Sequence, residues 1–476
     1  MNESQDFDAV ARDTLRLIGP DPRNWVPERA GVDHNVLIIG GGQTGCALAF
    51  ALRRAGIGKV SVIDAAANED EAGIWLRAAR MNLLRTPKAL PGPELGLPHL
   101  SFQAWYEARH GAEAYAAMDR IPRLDWVSYL RWYRHFLRID VRYRTRLLGI
   151  EPADGHFRLM LEIEGRRAEE TARKIVLANG FTGNGGPDIP AVIRDNLPRA
   201  RYDHTEDAID FAALRGRTVA VIGAAASAFD AAGVALETGA KAVHLFARRP
   251  EVAAVPITRS RGFPGAYDNY HDLPDAIRWH QAIRFRRAGS TPTVDALQRT
   301  VKHANFHLHL GCAWDSAAMD GDRIAAQVNG QPFACDHVIC GTGYFVDPSA
   351  RPELATFADR ILLWRDRFVP PQDEQDEMLG LHPYLGAGHE YLEKQAGTAP
   401  YLRDIHVQNP AGYVSFGLPI GDVPSMKRDI PAIAARISRD LFLVDLPVLE
   451  PRMRADVKPD FGPELYAAAV RPIPPG

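Results

Sequence analysis

Short apolar runs alternate with helical patterns along this chain, and that order predicts an α/β fold. Residues 35–39 (NVLII) form an uninterrupted apolar run, which is typical of a parallel strand buried on both faces. A helical pattern follows over residues 44–55, and a second strand is predicted at residues 59–64. A strand, a helix and a strand in this order predict a βαβ unit near the N-terminus.

The same order recurs in the middle of the chain. A strand is predicted at 218–222 (TVAVI), a helix at 225–237 and a second strand at 242–246. The other predicted elements are an aromatic-rich helix at 129–136, strands with two turns within 141–180, a helix near 275–286 and an amphipathic helix at 430–442. Two βαβ units predict an α/β protein with two Rossmann-like dinucleotide-binding domains.

The first unit has glycine at every position that a dinucleotide-binding turn requires. Gly40 allows the tight turn, Gly42 lets the backbone approach a pyrophosphate, and Gly45 lets helix and strand pack closely. Asp64 ends the second strand, where an acid accepts hydrogen bonds from ribose hydroxyls and repels a 2′-phosphate. The site therefore favours FAD or NAD over NADP. The residues predicted to bind this cofactor are Gly40, Gly42, Gln43, Thr44, Gly45 and Asp64.

The second unit has a weaker form of this turn, G-x-A-x-x-A, at residues 223–228. The following strand ends in Arg248 and Arg249, with no acid in the place that Asp64 takes in the first unit. Guanidinium groups bind a 2′-phosphate through paired hydrogen bonds, so this site is predicted to prefer NADPH. The alternative is that both arginines are solvated charges. The predicted NADPH-binding residues are Gly223, Ala225, Ser227, Ala228, Arg248 and Arg249.

Two nucleotide sites of opposite charge preference suit a chain that keeps FAD bound while NADPH delivers hydride to it. With these motifs the chain resembles the two-dinucleotide-binding-domain flavoproteins, and within them the class B flavin-containing monooxygenases. Three further stretches are similar, at residues 175–180, 336–344 and 417–422. The resemblance implies that 336–344 re-enters the FAD domain and ends in the cofactor-binding residues Thr342, Gly343 and Tyr344. It also implies that Asp422 meets the ribityl chain of the flavin.

The resemblance implies a discontinuous FAD domain with an inserted NADPH domain. We predict an N-terminal extension at 1–30, the first part of the FAD domain at 31–190, the NADPH domain at 191–334 and the rest of the FAD domain at 335–476. Residues 84–106 resemble a stretch of bacterial flavin-dependent oxidoreductases, which implies that Arg85 lies along the flavin. The alternative interpretation of residues 84–106 is a Pro-rich surface loop.

One linker motif of the class B enzymes, F-x-G-x-x-x-H, is mostly absent. The chain keeps His204, but Pro198 and Ala200 stand at the Phe and Gly positions. The motif therefore does not assign the chain to the Baeyer–Villiger or the dimethylaniline type. His204 is either a catalytic residue or a hinge histidine that the backbone satisfies.

The resemblance implies a monooxygenase cycle that uses NADPH, FAD and dioxygen. NADPH reduces the flavin, and a C4a-(hydro)peroxide formed with dioxygen transfers one oxygen atom to a nitrogen, sulfur or carbonyl centre of a small organic substrate. Arg259, with Arg261 beside it, and Lys427 are candidates to stabilise negative charge. The alternative for each is a solvated surface charge.

Residues 261–279 are rich in aromatic residues and contain another catalytic candidate, His271. We interpret this stretch as a lid or a substrate-side wall, hereafter the wall segment. The alternative is a packed helical insertion without a catalytic role.

Composition narrows the function classes further. A net charge of −3 and a pI near 6.6 give no footprint for nucleic acid or for a membrane surface. No apolar stretch is long enough to span a bilayer, and the first residues lack the basic start of a signal peptide. We therefore expect a cytoplasmic protein.

Cysteines and histidines give no sign of a disulfide or metal site. None of the four cysteines forms a C-x-x-C pair, which a disulfide reductase would need. His303, His307 and His309 lack a nearby carboxylate or cysteine pattern, so no metal is predicted. The alternatives to a monooxygenase are an NADPH-dependent flavoprotein reductase, a flavin oxidase with a vestigial NADPH site, and a nucleotide sensor. The substrate and the oligomeric state are left open.

Overall fold

The computed structural model of the protein describes residues 3–418 and 420–474. Its strands are β1 (His34–Ile39), β2 (Val60–Ile63), β3 (Val141–Arg142), β4 (Thr145–Ala153), β5 (His156–Ile163), β6 (Arg166–Leu177), β7 (Gly185–Pro187), β8 (Tyr202–His204), β9 (Thr218–Ile222), β10 (Ala242–Ala247), β11 (Phe306–Leu310), β12 (Trp314–Asp320), β13 (Arg323–Val328), β14 (Gln331–Cys335), β15 (His337–Cys340), β16 (Tyr344–Val346) and β17 (Ile405–Val407). Its helices are α1 (Glu3–Leu17), α2 (Gln43–Arg54), α3 (Phe102–His110), α4 (Ala112–Ala117), α5 (Arg123–Phe136), α6 (Ala191–Arg194), α7 (Ala226–Glu237), α8 (Pro264–Asp268), α9 (Asp275–Ala288), α10 (Val294–Val301), α11 (Trp364–Arg367), α12 (Glu377–Gly380), α13 (Tyr413–Phe416), α14 (Met426–Val444) and α15 (Leu446–Met453).

The first βαβ unit forms the centre of a seven-stranded sheet with the order β3-β2-β1-β6-β5-β4, in which β17 also pairs with β6. Strands β1, β2, β3, β6 and β17 run parallel, whereas β4, β5 and β6 form an antiparallel extension. Alternate side chains of β1 enter two different cores. Val36 and Ile38 pack with α2, α5 and α14, while Leu37 and Ile39 pack with β5, β6 and β17. This burial on both faces explains the uninterrupted apolar run.

The second βαβ unit lies in a five-stranded sheet with the order β11-β10-β9-β15-β8. All four pairings in this sheet are parallel. One face packs against α7 and α10 through Val219, Val221 and Leu245, and the other face packs against the β12–β14 sheet through Ala220 and Phe246. The predicted α/β fold with two Rossmann-like units is confirmed.

Residues 336–344 were predicted to re-enter the first domain, and this prediction was wrong for the strand that they contain, β15. β15 pairs with β9 and β8, so it belongs to the second sheet. The Asp336 carboxylate accepts a hydrogen bond from the Thr218 backbone N–H at 2.7 Å, which fixes β15 beside β9. The chain leaves this sheet through an antiparallel ribbon of β7 and β16 and reaches the first sheet only at β17. The other domain boundaries stay predictions.

The N-terminal extension packs on the first domain. Phe7 and Ala11 of α1 are buried in the core that α2 and α5 share. The Trp132 indole N–H of α5 donates to the Asp8 carboxylate at 2.8 Å. None of the helices in the described part of the chain is long and apolar enough to cross a membrane.

A buried ion pair ties the long C-terminal helix to the first sheet. Arg173 of β6 and Asp445, between α14 and α15, are 2.8 Å apart and almost fully buried. We predict that Asp445→Ala lowers the free energy of unfolding by about 3–5 kcal/mol, because the Arg173 guanidinium loses its buried counter-charge. Denaturant unfolding followed by circular dichroism measures this loss. The exposed Asp456→Ala serves as the control, and equal losses in the two variants would contradict the prediction.

Candidate functional site

The glycines of the first turn serve two different purposes. A Cβ atom on Gly40, whose φ is +116°, would lie 2.2 Å from the Ala178 carbonyl oxygen, and one on Gly45 would lie 1.9 Å from the Gly40 carbonyl oxygen. A Cβ on Gly42 would meet nothing closer than 3.6 Å, the Cα atom of Gly73. Packing therefore requires Gly40 and Gly45, whereas Gly42 leaves space at the N-terminus of α2, where free N–H groups favour a phosphate.

Asp64 is held at the edge of this turn. Its two carboxylate oxygens accept hydrogen bonds from the backbone N–H groups of Gly41 at 2.7 Å and Ala66 at 2.8 Å. The turn opens on a cleft that Gly42, Trp75, Arg131 and Arg134 help to line. An acid for the ribose and cations beside a phosphate-binding turn fit the FAD that the sequence predicts for this site.

Arg131 and Arg134 were not predicted as site residues. They lie three residues apart on α5, on the face that borders the cleft, and they form ion pairs with Asp70 and Glu69. Their signal in the sequence was the pair of arginines within the aromatic helix at 129–136, because residues three apart share a helix face.

The C-terminal segment reaches the same turn. The Gln43 amide donates to the Gly421 carbonyl oxygen at 3.0 Å, and the Thr44 hydroxyl lies 3.4 Å from that oxygen. Asp422 follows, and burial raises the pKa of its carboxyl to about 7. Within the 417–422 stretch, Pro419 lies outside the described residues. The structure thus places Asp422 directly after a residue that contacts the first turn. Its contact with the ribityl chain of the flavin stays a prediction.

Gln408 is a further polar residue at this place that was not predicted. Its side chain is buried, and neither its amide nitrogen nor its amide oxygen has a partner in the part of the chain that the structure describes. Its backbone carbonyl oxygen lies 3.7 Å from a Cβ built on Gly421, which places the residue beside the cofactor turn. Since buried polar groups are normally hydrogen-bonded, the unused donor and acceptor fit a bound flavin cofactor.

The second turn repeats the backbone geometry of the first. Gly223 has a φ of +115°, and its Cβ would lie 2.2 Å from the Gly341 carbonyl oxygen. A Cβ on Gly341 would in turn lie 2.6 Å from that of Ala228, which shows how closely α7 approaches β15. Ala225 caps α7 without a side-chain hydrogen bond, and Ser227 is exposed in its first turn. The free N–H groups fit a second phosphate.

The two arginines of the second site have different surroundings. Arg249 donates to the backbone carbonyl oxygens of Arg286, Arg287 and Ala288 at 3.0, 2.6 and 2.8 Å, so it caps the C-terminus of α9. Arg248 is exposed, and no described residue accepts a hydrogen bond from its guanidinium. Of the two, Arg248 is the one available to a 2′-phosphate.

Arg85 joins the two nucleotide-binding units. Its guanidinium lies 3.1 Å from the carboxylate of Asp230, which is buried on α7 of the second unit. Burial raises the pKa of Asp230. Arg80 makes a second connection, because it donates at 2.6 Å to the backbone carbonyl oxygens of Thr205 and Asp207. Arg85 therefore contacts the helix of the predicted NADPH site, and its predicted position along the flavin stays a prediction.

Thr342, Gly343, Tyr344 and His204 meet at the hinge between the two sheets. The Tyr344 hydroxyl donates to Glu206 at 2.6 Å, and the Thr342 hydroxyl donates to the Asp188 carbonyl oxygen. The His204 ring packs edge-on against Tyr344, and its Nδ1 accepts from the Glu206 N–H at 3.1 Å. Burial lowers the pKa of His204. The Nε2 atom of His204 is buried and has no hydrogen-bond partner among the described residues, so both interpretations of His204 stay open.

The three other predicted catalytic residues differ in how exposed they are. Arg259 and Lys427 are both exposed. His271 is half-buried, its Nε2 atom lies 3.1 Å from the Leu385 carbonyl oxygen, and its ring stacks on Phe416. Burial lowers the pKa of His271, which favours a neutral ring that donates to this carbonyl.

The wall segment packs against residues 413–428. The Tyr267 hydroxyl donates to the Pro424 carbonyl oxygen, and Arg428 donates to the Tyr267 carbonyl oxygen at 3.1 Å. The Tyr270 ring packs so closely on Gly417 that a Cβ there would lie 2.4 Å from it. The wall segment therefore covers residues 413–428, the stretch in which Gly421 contacts Gln43 of the first nucleotide turn.

The histidines of β11 lie against a third histidine. His307 and His309 flank His244 of β10, and Nδ1 of His244 is 3.0 Å from Nε2 of His309. Burial and these two neighbours lower the pKa of His244 to about 4. Among residues 3–418 and 420–474 no group of three His, Cys, Asp or Glu residues is arranged to hold a metal ion, and the four cysteines are free. The absence of a metal stays a prediction.

Two parallel sheets, each with a phosphate-binding turn, define a two-dinucleotide-binding-domain flavoprotein. Residues 37–260 match the pyridine nucleotide-disulphide oxidoreductase family. An FAD-dependent urate hydroxylase from Xanthomonas campestris pv. campestris is 38% identical over 443 residues, which is 92% of each chain. The chain belongs to the same family as this hydroxylase and is a flavin-dependent monooxygenase.

Solved structures share this fold at low sequence identity. Ornithine hydroxylase from Pseudomonas aeruginosa is 17% identical with a TM-score of 0.66, over 86% of this chain and 99% of that chain. Ornithine N-hydroxylase from Kutzneria sp. 744 is 17% identical with a TM-score of 0.67, over the same shares. The fold that the resemblance to class B monooxygenases implied is confirmed.

The different purposes of Gly42 and Gly45 give a testable contrast. We predict that Gly42→Ala leaves the fold intact but weakens FAD binding by about tenfold or more, because the methyl group takes the space of the pyrophosphate. Gly45→Ala should instead disrupt folding. Flavin absorbance after purification and circular dichroism measure the two effects.

Gly265→Ala is the matched control, since its Cβ would also meet nothing closer than 3.6 Å. If Gly42→Ala retained as much FAD as the control, the placement of the pyrophosphate at Gly42 would be refuted.

Proposed function

We propose that this protein is an NADPH-dependent FAD monooxygenase that hydroxylates urate or a closely similar planar oxopurine. The observation that carries the proposal is the identity of 38% with an FAD-dependent urate hydroxylase, which extends over 92% of each chain. Its co-substrate is dioxygen, and it acts in the cytoplasm.

In this proposal the first unit holds FAD. The N-terminus of α2 and Arg131 and Arg134 bind the pyrophosphate, Asp64 binds the ribose of the adenosine half, and Asp422 and Gln408 bind the flavin half. When bound, FAD accepts hydride from NADPH and in its reduced form activates dioxygen. The chain itself binds, orients and shields this chemistry.

NADPH binds at the second unit because of charge. Asp64 repels a 2′-phosphate at the first turn, whereas the second strand end offers the exposed guanidinium of Arg248. The N-terminus of α7 binds the pyrophosphate of NADPH. Arg85, Arg80 and the hinge around Tyr344 hold the two units in contact, so that the nucleotides meet between them.

The wall segment closes the substrate side. Tyr267, Tyr270 and His271 pack on the 413–428 stretch and keep water from the reacting centre, which prevents wasteful release of hydrogen peroxide. The Nε2–H group of the neutral His271 ring donates a hydrogen bond to the Leu385 carbonyl oxygen and so fixes the segment there. In this role His271 positions the wall and transfers no proton to the substrate.

Turnover with urate tests the proposal directly. The FAD-loaded enzyme should consume one NADPH and one dioxygen for each urate lost, and ¹⁸O₂ should label the product. Rapid NADPH oxidation that urate does not accelerate, with all dioxygen recovered as hydrogen peroxide, would point to an oxidase and refute urate as the substrate.

The choice between NADPH and NADH depends on Arg248. We predict that Arg248→Ala raises KM for NADPH by about tenfold or more, because a charge-assisted hydrogen bond to the 2′-phosphate is lost, and leaves KM for NADH unchanged. Steady-state kinetics with each nucleotide measure the ratio. The exposed Lys241→Ala, at the start of the same strand region, is the control. Equal changes for both nucleotides would contradict the assignment.

A further inference from the structure

Arg261 is a buried cation without a counter-charge. It is one of four buried arginines in the described part of the chain. The other three each have a carboxylate: Arg173 is 2.8 Å from Asp445, Arg278 is 2.5 Å from Asp275, and Arg299 is 2.5 Å from Glu237. Arg261 is 8% exposed, yet no described Asp or Glu forms an ion pair with it.

The groups around Arg261 do not neutralise it. The hydroxyls of Tyr270 and Tyr413 lie 3.5 and 3.4 Å from its guanidinium nitrogens, at the long limit for hydrogen bonds. Burial raises the pKa of both phenols, so they stay uncharged. The Tyr270 hydroxyl donates its own proton to the Arg278 carbonyl oxygen at 3.2 Å. Buried arginines are normally paired with a carboxylate, as the other three are, so Arg261 is the exception among the described buried arginines.

Arg261 begins the wall segment, and residues 262–265 directly after it are exposed. Tyr413 and the Tyr270 contact at Gly417 connect it to the 408–422 segment. The far end of that segment, Gly421, touches Gln43 at the first nucleotide turn. Arg261 thus lies inside the wall that covers the proposed reaction site.

We propose that Arg261 is the substrate-binding residue and that the substrate binds as a planar anion. A guanidinium binds two neighbouring acceptor atoms of a flat anion through paired hydrogen bonds, and the rings of Tyr270 and Tyr413 lie beside it. Urate, the conjugate base of a weak ring acid, has this chemistry. The identification of the ligand as urate rests on the proposed function, whereas the anion site itself does not depend on it.

Binding to the oxidised, FAD-loaded enzyme tests the site without turnover. Urate is titrated while the flavin absorbance is recorded, with wild-type protein and the variants Arg261→Met and Arg261→Lys. We expect the dissociation constant for urate to rise about 10- to 100-fold in Arg261→Met and less in Arg261→Lys, since lysine keeps the charge. Arg284→Met, an exposed arginine of α9, should bind urate like the wild type. Unchanged affinity in Arg261→Met overturns the proposal.

Thermal unfolding separates a binding role from a structural one. An arginine that serves the fold would lower the Tm when replaced. An unpaired buried charge kept for a ligand should behave in the opposite way, so Arg261→Met should melt no lower than the wild type without ligand. A clear fall in Tm together with loss of flavin overturns the proposal.

Two further measurements test whether Arg261 binds NADPH instead, and whether the anion site exists even if urate is not the substrate. Anaerobic flavin reduction at varied NADPH concentrations should be the same in wild type and Arg261→Met; a rise in the dissociation constant for NADPH alone would assign Arg261 to NADPH instead. If urate fails to bind wild-type enzyme, the proposed substrate is wrong. The anion site is then tested by comparing the binding of benzoate, a planar anion, with that of benzamide, its neutral analogue. Benzoate binding that is lost in Arg261→Met supports the anion site. If benzoate does not bind the wild type, or still binds Arg261→Met, the anion site is overturned.

Discussion

Two close contacts between backbone segments determine how this fold presents its nucleotides. At Gly40 and at Gly223 the chain turns from a strand into a helix with nearly the same left-handed φ, and in both places a Cβ would lie 2.2 Å from a carbonyl oxygen of the neighbouring strand region. Only glycine permits this approach. Because the helix begins directly beside the strand ends, its free N–H groups point to the carboxyl edge of each sheet, where a phosphate is bound. The cleft, the wall and the hinge are all arranged around these two edges.

The same backbone is used for two cofactors, and the side chains at the strand ends distinguish them. Asp64 is fixed by two backbone N–H groups at the first site, so its carboxylate is held at the edge of the turn, where the proposed function places the ribose of FAD. The second site has Arg248 at the corresponding place, while Arg249 is used to cap α9. In the proposed function, one charge at each strand end separates a resident flavin from an exchanging nicotinamide nucleotide, and the fold of the two units does not need to differ.

Local patterns in the sequence predicted the two βαβ units closely, because β1 and β9 are buried on both faces and α2 and α7 follow glycine turns. The strand within residues 336–344 was predicted in the wrong sheet, since a short buried strand fits either sheet and only the tertiary structure shows that it pairs with β9 and β8. The glycine turns and Asp64 were visible as a motif. Gln408 and the isolation of Arg261 were not, because a missing partner is a property of the tertiary structure and leaves no trace in residue spacing.

The hinge between the sheets is built from β7 and β16, two short strands that are hydrogen-bonded to each other in antiparallel register. Two strands that are hydrogen-bonded to each other resist sliding and twisting far more than a single linker does. The ribbon therefore fixes which edge of the second sheet faces the first. In the proposed function, a nicotinamide nucleotide that exchanges at the second site would thus meet the flavin site in the same register in every cycle.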